Sequence, residues 1–185
     1  MTSAKKFATY EDLFAIPEHH TGQILFGVVH AHPRPAVPHA IAASAIGEEL
    51  GAPFKRGRGG PGGWVNLDMP ELNLGADVLV PDLAGWKRER MPETPRAAFI
   101  SLSPDWACEV LSPSTSSLDR GDKLKVYARE HVAYVWLVDP EAKTLEVLQL
   151  DGPTYRIAAV FSGDAAVRAA PFDAIELDLS ILWAR

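Results

Sequence analysis

The feature that most constrains the fold is an uninterrupted apolar segment at residues 133–138 (AYVWLV). It is far shorter than the ~20 residues of a membrane-spanning helix, and such a run is typical of a strand buried on both faces of a sheet. The pattern at residues 105–111 (DWACEVL) predicts a second strand, and residues 119–130 predict a helix between the two. A strand, a helix and a buried strand in succession favour an α/β fold with a central sheet flanked by helices.

Further helices and strands are predicted along the rest of the chain. Thr9 and Asp12 have the spacing of a capping box and predict a short helix over residues 10–16. Apolar spacing predicts a helix over residues 39–50, ended by Gly51. Strands are predicted at residues 23–30, 64–68, 71–74 and 77–82, a hairpin at 145–150 and 155–161, and mostly loop at 83–104. The hairpin favours a mixed sheet, and the absence of a repeat or linker favours one domain over residues 1–185.

Composition and charge narrow the classes of protein. A length of 185 residues fits one domain. Cys108 is the one cysteine, so neither an intrachain disulfide nor a cysteine-rich zinc site can form. The N-terminal residues lack the apolar stretch of a signal peptide, and no run could cross a membrane, so we expect a cytoplasmic protein. The net charge of −6 argues against a dedicated nucleic-acid-binding protein, although an enzyme with a local basic patch remains compatible.

Two acidic residues stand out by their position. Asp82 follows Pro81 at the end of a predicted strand, where a sheet holds side chains rigidly. The alternative is that these two residues simply end the strand. Glu109 lies inside a strand that is apolar on both faces, and a buried carboxylate is costly unless a cation or a metal ion compensates it. Glu109 is therefore either a metal ligand or one partner of a structural ion pair.

Lys123 is the basic residue that best complements these acids. In the predicted helix, Leu124 and Tyr127 lie on the buried side, Lys123 lies on its flank, and Lys125 points away. Asp119 is four residues before Lys123, so the two are expected to pair, although an exposed pair of this kind is common. Two carboxylates and a lysine suit phosphodiester hydrolysis. The carboxylates hold Mg²⁺ or Mn²⁺, and the lysine orients water or stabilises developing charge.

Four segments carry a resemblance to a known family: Pro81-Asp82, EVLSPST at 109–115, DRGDK at 119–123 with Tyr127, and YVWLVDP at 134–140. The chain resembles the Uma-two family of restriction-endonuclease-like proteins, which belongs to the PD-(D/E)XK nuclease superfamily. The resemblance extends from about Gly22 to Trp183. It implies a restriction-endonuclease-like core with a central mixed β-sheet flanked by helices.

The resemblance also implies roles for individual residues. Asp82 and Glu109 correspond to catalytic metal ligands, and Lys123 corresponds to the catalytic lysine. The backbone carbonyl of Val110 is a further metal-ligand candidate. The commonest superfamily pattern places the lysine two residues after the acid, where this chain has Leu111. The family pattern moves the lysine to the next helix, in agreement with the helical position of Lys123.

One departure from the family pattern concerns Gln23, which occupies a strand position where members often carry glutamate. Glu49 lies near the middle of the apolar face of its predicted helix, so we expect it to point inward and to replace the missing acid. Two basic segments, Lys55, Arg56 and Arg58 together with Lys87, Arg88 and Arg90, are candidate phosphate contacts near the site, or equally two solvated loops.

Two functions remain open from the sequence. The first is a Mg²⁺- or Mn²⁺-dependent endonuclease that hydrolyses DNA, with homodimerisation expected because cutting both strands favours two sites. The second is a nuclease-fold domain without activity that serves as a binding or oligomerisation module. The two acids and the lysine favour the enzyme, whereas Gln23 and the net charge of −6 favour the alternative.

Overall fold

The fold is built on a mixed six-stranded β-sheet and a smaller four-stranded sheet, which a computed structural model describes within residues 7–183. The strands are β1 (His20–Leu25), β2 (Val28–Pro33), β3 (Trp64–Asp68), β4 (Leu72–Leu74), β5 (Asp77–Leu79), β6 (Leu83–Lys87), β7 (Trp106–Val110), β8 (Tyr134–Asp139), β9 (Thr144–Asp151), β10 (Thr154–Ser162), β11 (Ala166–Val167) and β12 (Leu177–Asp178). The large sheet has the order β10-β9-β8-β7-β6-β3. In it, β7 and β8 pair in parallel and the other neighbours are antiparallel.

The helical segments make up the rest of the regular structure. They are a 3₁₀ helix at Tyr10–Ala15, α1 (Val37–Leu50) continued by a π-helical turn at Gly51–Lys55, then α2 (Ser116–Leu118), a π-helical turn at Asp119–Lys123, α3 (Leu124–Arg129), and a 3₁₀ helix at Leu179–Leu182. The predicted capping box is confirmed, since the Thr9 backbone N–H donates to Asp12 at 2.7 Å. Gly51 does not end its helix as predicted, because the chain continues into the π-helical turn. None of the helices within residues 7–183 has the length and apolar character needed to cross a bilayer.

Apolar side chains cover the large sheet on both faces. On one face, Ala42, Ile46 and Leu50 of α1 pack with alternate residues of β7 and β8 and with the C-terminal segment. On the other face, Val126 and Tyr127 of α3 pack against the intervening residues of these strands and against the four-stranded sheet. Strands β7 and β8 are buried on both sides, as their apolar sequences predict. The predicted central mixed sheet flanked by helices is therefore confirmed.

The four-stranded sheet, with the order β2-β1-β5-β4, differs from the sequence prediction at its N-terminal hairpin. The single strand predicted over residues 23–30 is wrong, because the chain turns at Phe26 and Gly27 between β1 and β2. Both turn residues have positive φ, 51° and 72°, as a two-residue hairpin turn of type I′ requires. Phe-Gly is not the usual sequence of such a turn, so the local signal was weak.

A second difference is β6, which lies in the stretch predicted to be mostly loop. Gly85 interrupts the apolar pattern, and glycine weakens a strand prediction. The structure requires glycine there because a Cβ atom would lie 2.7 Å from Asn66 Oδ1 and 3.1 Å from the Trp106 ring.

The strand predicted over residues 77–82 is shorter in the structure and ends at Leu79. Asp82 therefore lies in the connection between β5 and β6, where the chain passes from one sheet to the other.

Candidate active site

A cleft opens where the N-terminal hairpin, the start of α1, the β5–β6 connection and the segment after β7 meet. We call it the acidic cleft, because Asp82, Glu109, Asp119 and Lys123 line it together. Each residue comes from a different place in the chain: the β5–β6 connection, β7 and successive turns of the helix after it. The structure thus brings together the three residues singled out from the sequence as the catalytic set, and it adds Asp119.

Glu109 is held at the base of the cleft by two hydrogen bonds. It lies in the central strand β7 and is 1% exposed. Lys123 Nζ donates to Oε2 at 2.8 Å, and the Tyr127 hydroxyl donates to Oε1 at 2.5 Å. Both donors project from the helix that connects β7 to β8, so this crossover positions the carboxylate.

Lys123 forms the second part of this buried network. It is 3% exposed, whereas the Lys125 side chain is 68% exposed and pairs with Asp122 on the surface. The prediction that Lys123, and not Lys125, is the lysine that reaches the interior is therefore confirmed. Lys123 Nζ also lies 2.9 Å from Asp119 Oδ1, at ion-pair distance but without the geometry of a hydrogen bond. The predicted pairing of Asp119 and Lys123 is present and buried.

The electrostatic balance of the network favours a proton or another cation near Glu109. Burial raises the pKa of Glu109 to about 8; Lys123 opposes this shift, while Asp119 and Asp82 add to it. Burial alone would lower the pKa of Lys123, but Glu109 and Asp119 outweigh it and raise that pKa, which keeps the ammonium charged. Burial also raises the pKa of the Tyr127 hydroxyl, so it acts as a donor to Glu109. Three carboxylates, those of Asp82, Glu109 and Asp119, thus lie close to one buried ammonium group.

Asp82 is held from two sides at the entrance to the network. Its Oδ2 accepts a 2.7 Å hydrogen bond from the Val110 backbone N–H at the end of β7. The same oxygen lies 3.2 Å from His39 Nε2, which projects from the first turn of α1. These contacts link the β5–β6 connection to the central strand and to the first helix.

The donors in the cleft fit a hard divalent cation. Mg²⁺ prefers oxygen ligands, keeps several waters, and is often bound by only one or two protein carboxylates. Asp82 and Glu109 supply such oxygens, and Asp119 adds negative charge beside a single buried ammonium group. Within residues 7–183, no group of three or more His, Cys, Asp or Glu side chains has the arrangement of a metal site. An ion held here would have Asp82 and Glu109 as its side-chain ligands, a number that Mg²⁺ often takes from a protein.

Gln23 and Glu49 do not add an acid to the cleft. Gln23 is 3% exposed, and its Oε1 accepts a 3.0 Å hydrogen bond from the Val80 backbone N–H, which ties β1 to the β5–β6 connection. The expectation that Glu49 points inward is wrong, because this residue is exposed. The buried side of α1 is made by Ala42, Ile46 and Leu50, and Glu49 lies at the edge of this stripe near the helix end, where its long side chain reaches water.

The two basic segments also lie away from the cleft. Lys87 pairs with Trp64, and the Arg88 backbone N–H donates to the Gly63 carbonyl at 2.8 Å, so the second segment lies at the far end of β6 beside the glycine-rich loop that follows the first. Asp82 directly precedes the opposite end of this strand, so it lies about 16 Å from Lys87 along the strand at the usual rise of ~3.3 Å per residue. None of these basic residues lines the acidic cleft, and the reading as two exposed loops fits their place at the opposite end of β6.

His39 and Tyr127 make contacts with the acidic residues of the cleft that the sequence did not predict. Tyr127 was assigned only to the buried side of its helix, whereas its hydroxyl binds Glu109. His39 was not singled out, although its position in the first turn of α1 after a proline-rich connector was visible. A titratable side chain at a helix start is a weak signal, since nothing local shows that Asp82 lies opposite it.

The parallel β7–β8 pair, its helical crossover and the acid at the end of β7 define a restriction-endonuclease-like α/β protein. Over residues 8–180 the chain matches the Uma2 family, which is described as "Putative restriction endonuclease". The chain belongs to this family, as the sequence resemblance indicated. No curated protein sequence shows significant similarity to it.

A solved structure agrees with the fold. The crystal structure of a "putative nuclease belonging to DUF820" from Anabaena variabilis ATCC 29413 superposes with a TM-score of 0.76 at 22% sequence identity. The match covers 95% of this chain and 97% of the other. At this identity the similarity shows the shared fold, and roles for individual residues come from the geometry of the cleft.

Proposed function

We propose that the protein is a Mg²⁺- or Mn²⁺-dependent endonuclease that hydrolyses phosphodiester bonds in DNA. The observation that carries this proposal is the convergence of Asp82, Glu109 and Lys123 in one cleft whose carboxylates exceed its buried cations. Membership of a family described as restriction endonucleases supports the reaction class. The net charge of −6 weighs against it, and a divalent ion would offset negative charge at the cleft itself.

Asp82 and Glu109 would hold the metal ion, and the Val110 backbone carbonyl is the additional ligand proposed from the family resemblance. When bound, the ion polarises the phosphodiester and lowers the pKa of a coordinated water. Lys123 stays charged beside Glu109 and stabilises negative charge that develops on the phosphate oxygens. Tyr127 fixes the orientation of Glu109 from the other side, so the carboxylate is preorganised.

Two observations favour the alternative of a nuclease-fold binding module without activity. Both Glu109 oxygens already accept hydrogen bonds, from Lys123 and Tyr127. Gln23 is a neutral structural bridge at a position where family members often have an acid. The alternative requires that these internal contacts stabilise the fold and that no metal enters.

The test is cleavage of supercoiled plasmid and labelled oligonucleotides of DNA and RNA, with Mg²⁺, Mn²⁺ or EDTA. We expect metal-dependent cleavage of DNA by the wild type and its loss in Glu109→Gln, which keeps the side-chain volume. Glu49→Gln is the matched control, because the same change at this exposed residue leaves the cleft intact. Equal cleavage by all three proteins would remove Glu109 from the mechanism. No cleavage by the wild type in either metal would favour the binding module.

A further inference from the structure

Strand β2 presents a row of nitrogen-bearing side chains on one face. His30 and His32 are two residues apart, so their side chains lie on the same side of the strand. Their rings are nearly parallel, with centroids 6.5 Å apart and an interplanar angle of 10°. Arg34 follows after another two residues and precedes Pro35, and a residue before proline is held extended. We call His30, His32 and Arg34 the β2 row.

The β2 row lies along the wall of the acidic cleft. His32 and Arg34 line the same cleft as Asp82, Glu109 and Lys123. His30 and His32 also face an adjoining depression next to the start of the helix after β7. The row thus connects the cleft to the neighbouring surface beside the helix that carries Lys123.

The donors of the β2 row are not used within the described part of the protein. Arg34 is exposed and has no ion-pair or hydrogen-bond partner within residues 7–183, whereas Arg90, Arg120 and Arg129 all pair with carboxylates. His32 Nε2 is buried and lacks a hydrogen-bond partner among the same residues. A buried nitrogen without a partner is costly, and a rotation of the ring that turns it into the cleft would let an oxygen atom of a ligand compensate it.

We propose that His30, His32 and Arg34 form a phosphate-binding row that holds the backbone of a nucleic-acid strand along the acidic cleft. This inference rests on the proposed function, because it takes the substrate to be a polynucleotide. Most protein contacts with nucleic acid are made to phosphates and sugars, and these contacts set the position of the strand. Arginine binds phosphate through two parallel N–H groups, and imidazole N–H groups donate single hydrogen bonds.

The three members of the row contribute differently to binding. Arg34 brings a permanent positive charge, so it releases counterions when it binds a phosphate. Burial, followed by the charge of Lys123, lowers the pKa of His32, so this imidazole acts as a neutral donor near pH 7. The row therefore combines one electrostatic contact with hydrogen bonds that depend little on salt.

The inference can be tested by fluorescence anisotropy with labelled single-stranded and duplex oligonucleotides in EDTA, over a series of NaCl concentrations. The wild type is expected to bind, and Arg34→Gln is expected to reduce the slope of log affinity against log salt by about 0.9 for a duplex and about 0.7 for a single strand. His32→Gln should weaken binding several-fold with an unchanged slope. Arg58→Gln is the matched control, since Arg58 is equally exposed but belongs to the basic segment at the far end of β6.

Equal losses in Arg34→Gln and Arg58→Gln would overturn the inference, because binding would then follow overall charge. An unchanged slope in Arg34→Gln, or no binding of either oligonucleotide by the wild type, would also overturn it. Calorimetry with inorganic phosphate distinguishes a site for free phosphate: Arg34-dependent binding of phosphate without binding of oligonucleotides counts against the row. Glu109→Gln separates this inference from the proposed function, since it should abolish cleavage and keep the binding that Arg34→Gln weakens.

Discussion

His39 Nε2 lies 3.2 Å from Asp82 Oδ2, so α1 contacts the carboxylate of Asp82, which lies in the chain segment that connects the two sheets. The Val110 backbone N–H donates to the same oxygen at 2.7 Å. One oxygen of Asp82 is therefore held by two nitrogen groups from different elements. Residues that orient a metal-binding carboxylate commonly affect metal affinity as strongly as the ligand geometry does.

We expect His39→Ala to weaken binding of Mg²⁺ or Mn²⁺ by about 10- to 100-fold, because Asp82 loses one of the two contacts that orient it. Isothermal titration calorimetry measures this effect without any cleavage. His39→Gln should restore part of the affinity, because its side-chain N–H lies near the position of Nε2, and His19→Ala, at an exposed position, is the control. Unchanged affinity in His39→Ala would show that Asp82 does not depend on His39.

Removal of the buried ammonium group should destabilise the fold strongly. Lys123→Met leaves Asp119 buried without its counter-charge and Glu109 without one of its two hydrogen-bond donors, so the free energy of unfolding should fall by about 3–5 kcal/mol. Lys125→Met, which breaks a surface pair, should change it by less than about 1 kcal/mol. Urea denaturation measures both. The double variant Glu109→Gln/Lys123→Met should lose less than the sum of the single losses, and strict additivity would contradict direct coupling.

The stability of the protein should depend on pH through Glu109. Its pKa is raised from the ordinary 4.5 to about 8 by burial. Between these values the folded protein binds a proton that the unfolded chain has released, so the contribution of Glu109 to stability falls as the pH rises from about 5 to about 8. Urea denaturation across this range should show the decline, and Glu109→Gln should flatten it. An equally steep decline in this variant would assign the effect to another group.

Metal binding should release a proton from the same carboxyl. A metal ion needs the ionised form of Glu109, whose raised pKa of about 8 leaves it largely protonated at pH 7. Calorimetric titration with Mg²⁺ in two buffers of different ionisation enthalpy should therefore give different apparent enthalpies at pH 7. The difference should vanish near pH 9. Identical enthalpies at pH 7 would show that the ion binds without displacing this proton.

Phe172 is expected to be a major contributor to the core on the α1 face of the large sheet. Its ring contacts those of Phe54, Trp64, Trp106 and Trp136, with centroids 4.7, 4.8, 4.8 and 5.6 Å away. Phe172→Ala would leave a cavity between these rings and should lower the free energy of unfolding by about 3–5 kcal/mol. Phe14→Ala, at a side chain that is 78% exposed, should have little effect. Thermal and urea unfolding of both variants provide the comparison.

The features that depend on local periodicity could be predicted from the amino-acid sequence. The apolar run at residues 133–138 predicted a buried strand, observed as β8 (Tyr134–Asp139), because a strand covered on both faces has no polar side. The position of Lys123 in its helix predicted that it, and not Lys125, would be buried. Glu109 could be identified as a buried acid from its apolar neighbours on both faces of the same strand.

Contacts between groups that are distant in sequence could not be predicted in this way. The contact between His39 and Asp82, the Gln23 bridge to Val80 and the line of the β2 row all depend on the path of the chain between elements. Strand pairing likewise moved the basic segments to the far end of β6, although Lys87 is close to Asp82 in sequence. The repeat of side-chain directions along a helix or strand follows from the local backbone conformation. These contacts instead arise from sheet order and register, which the packing of the whole core selects.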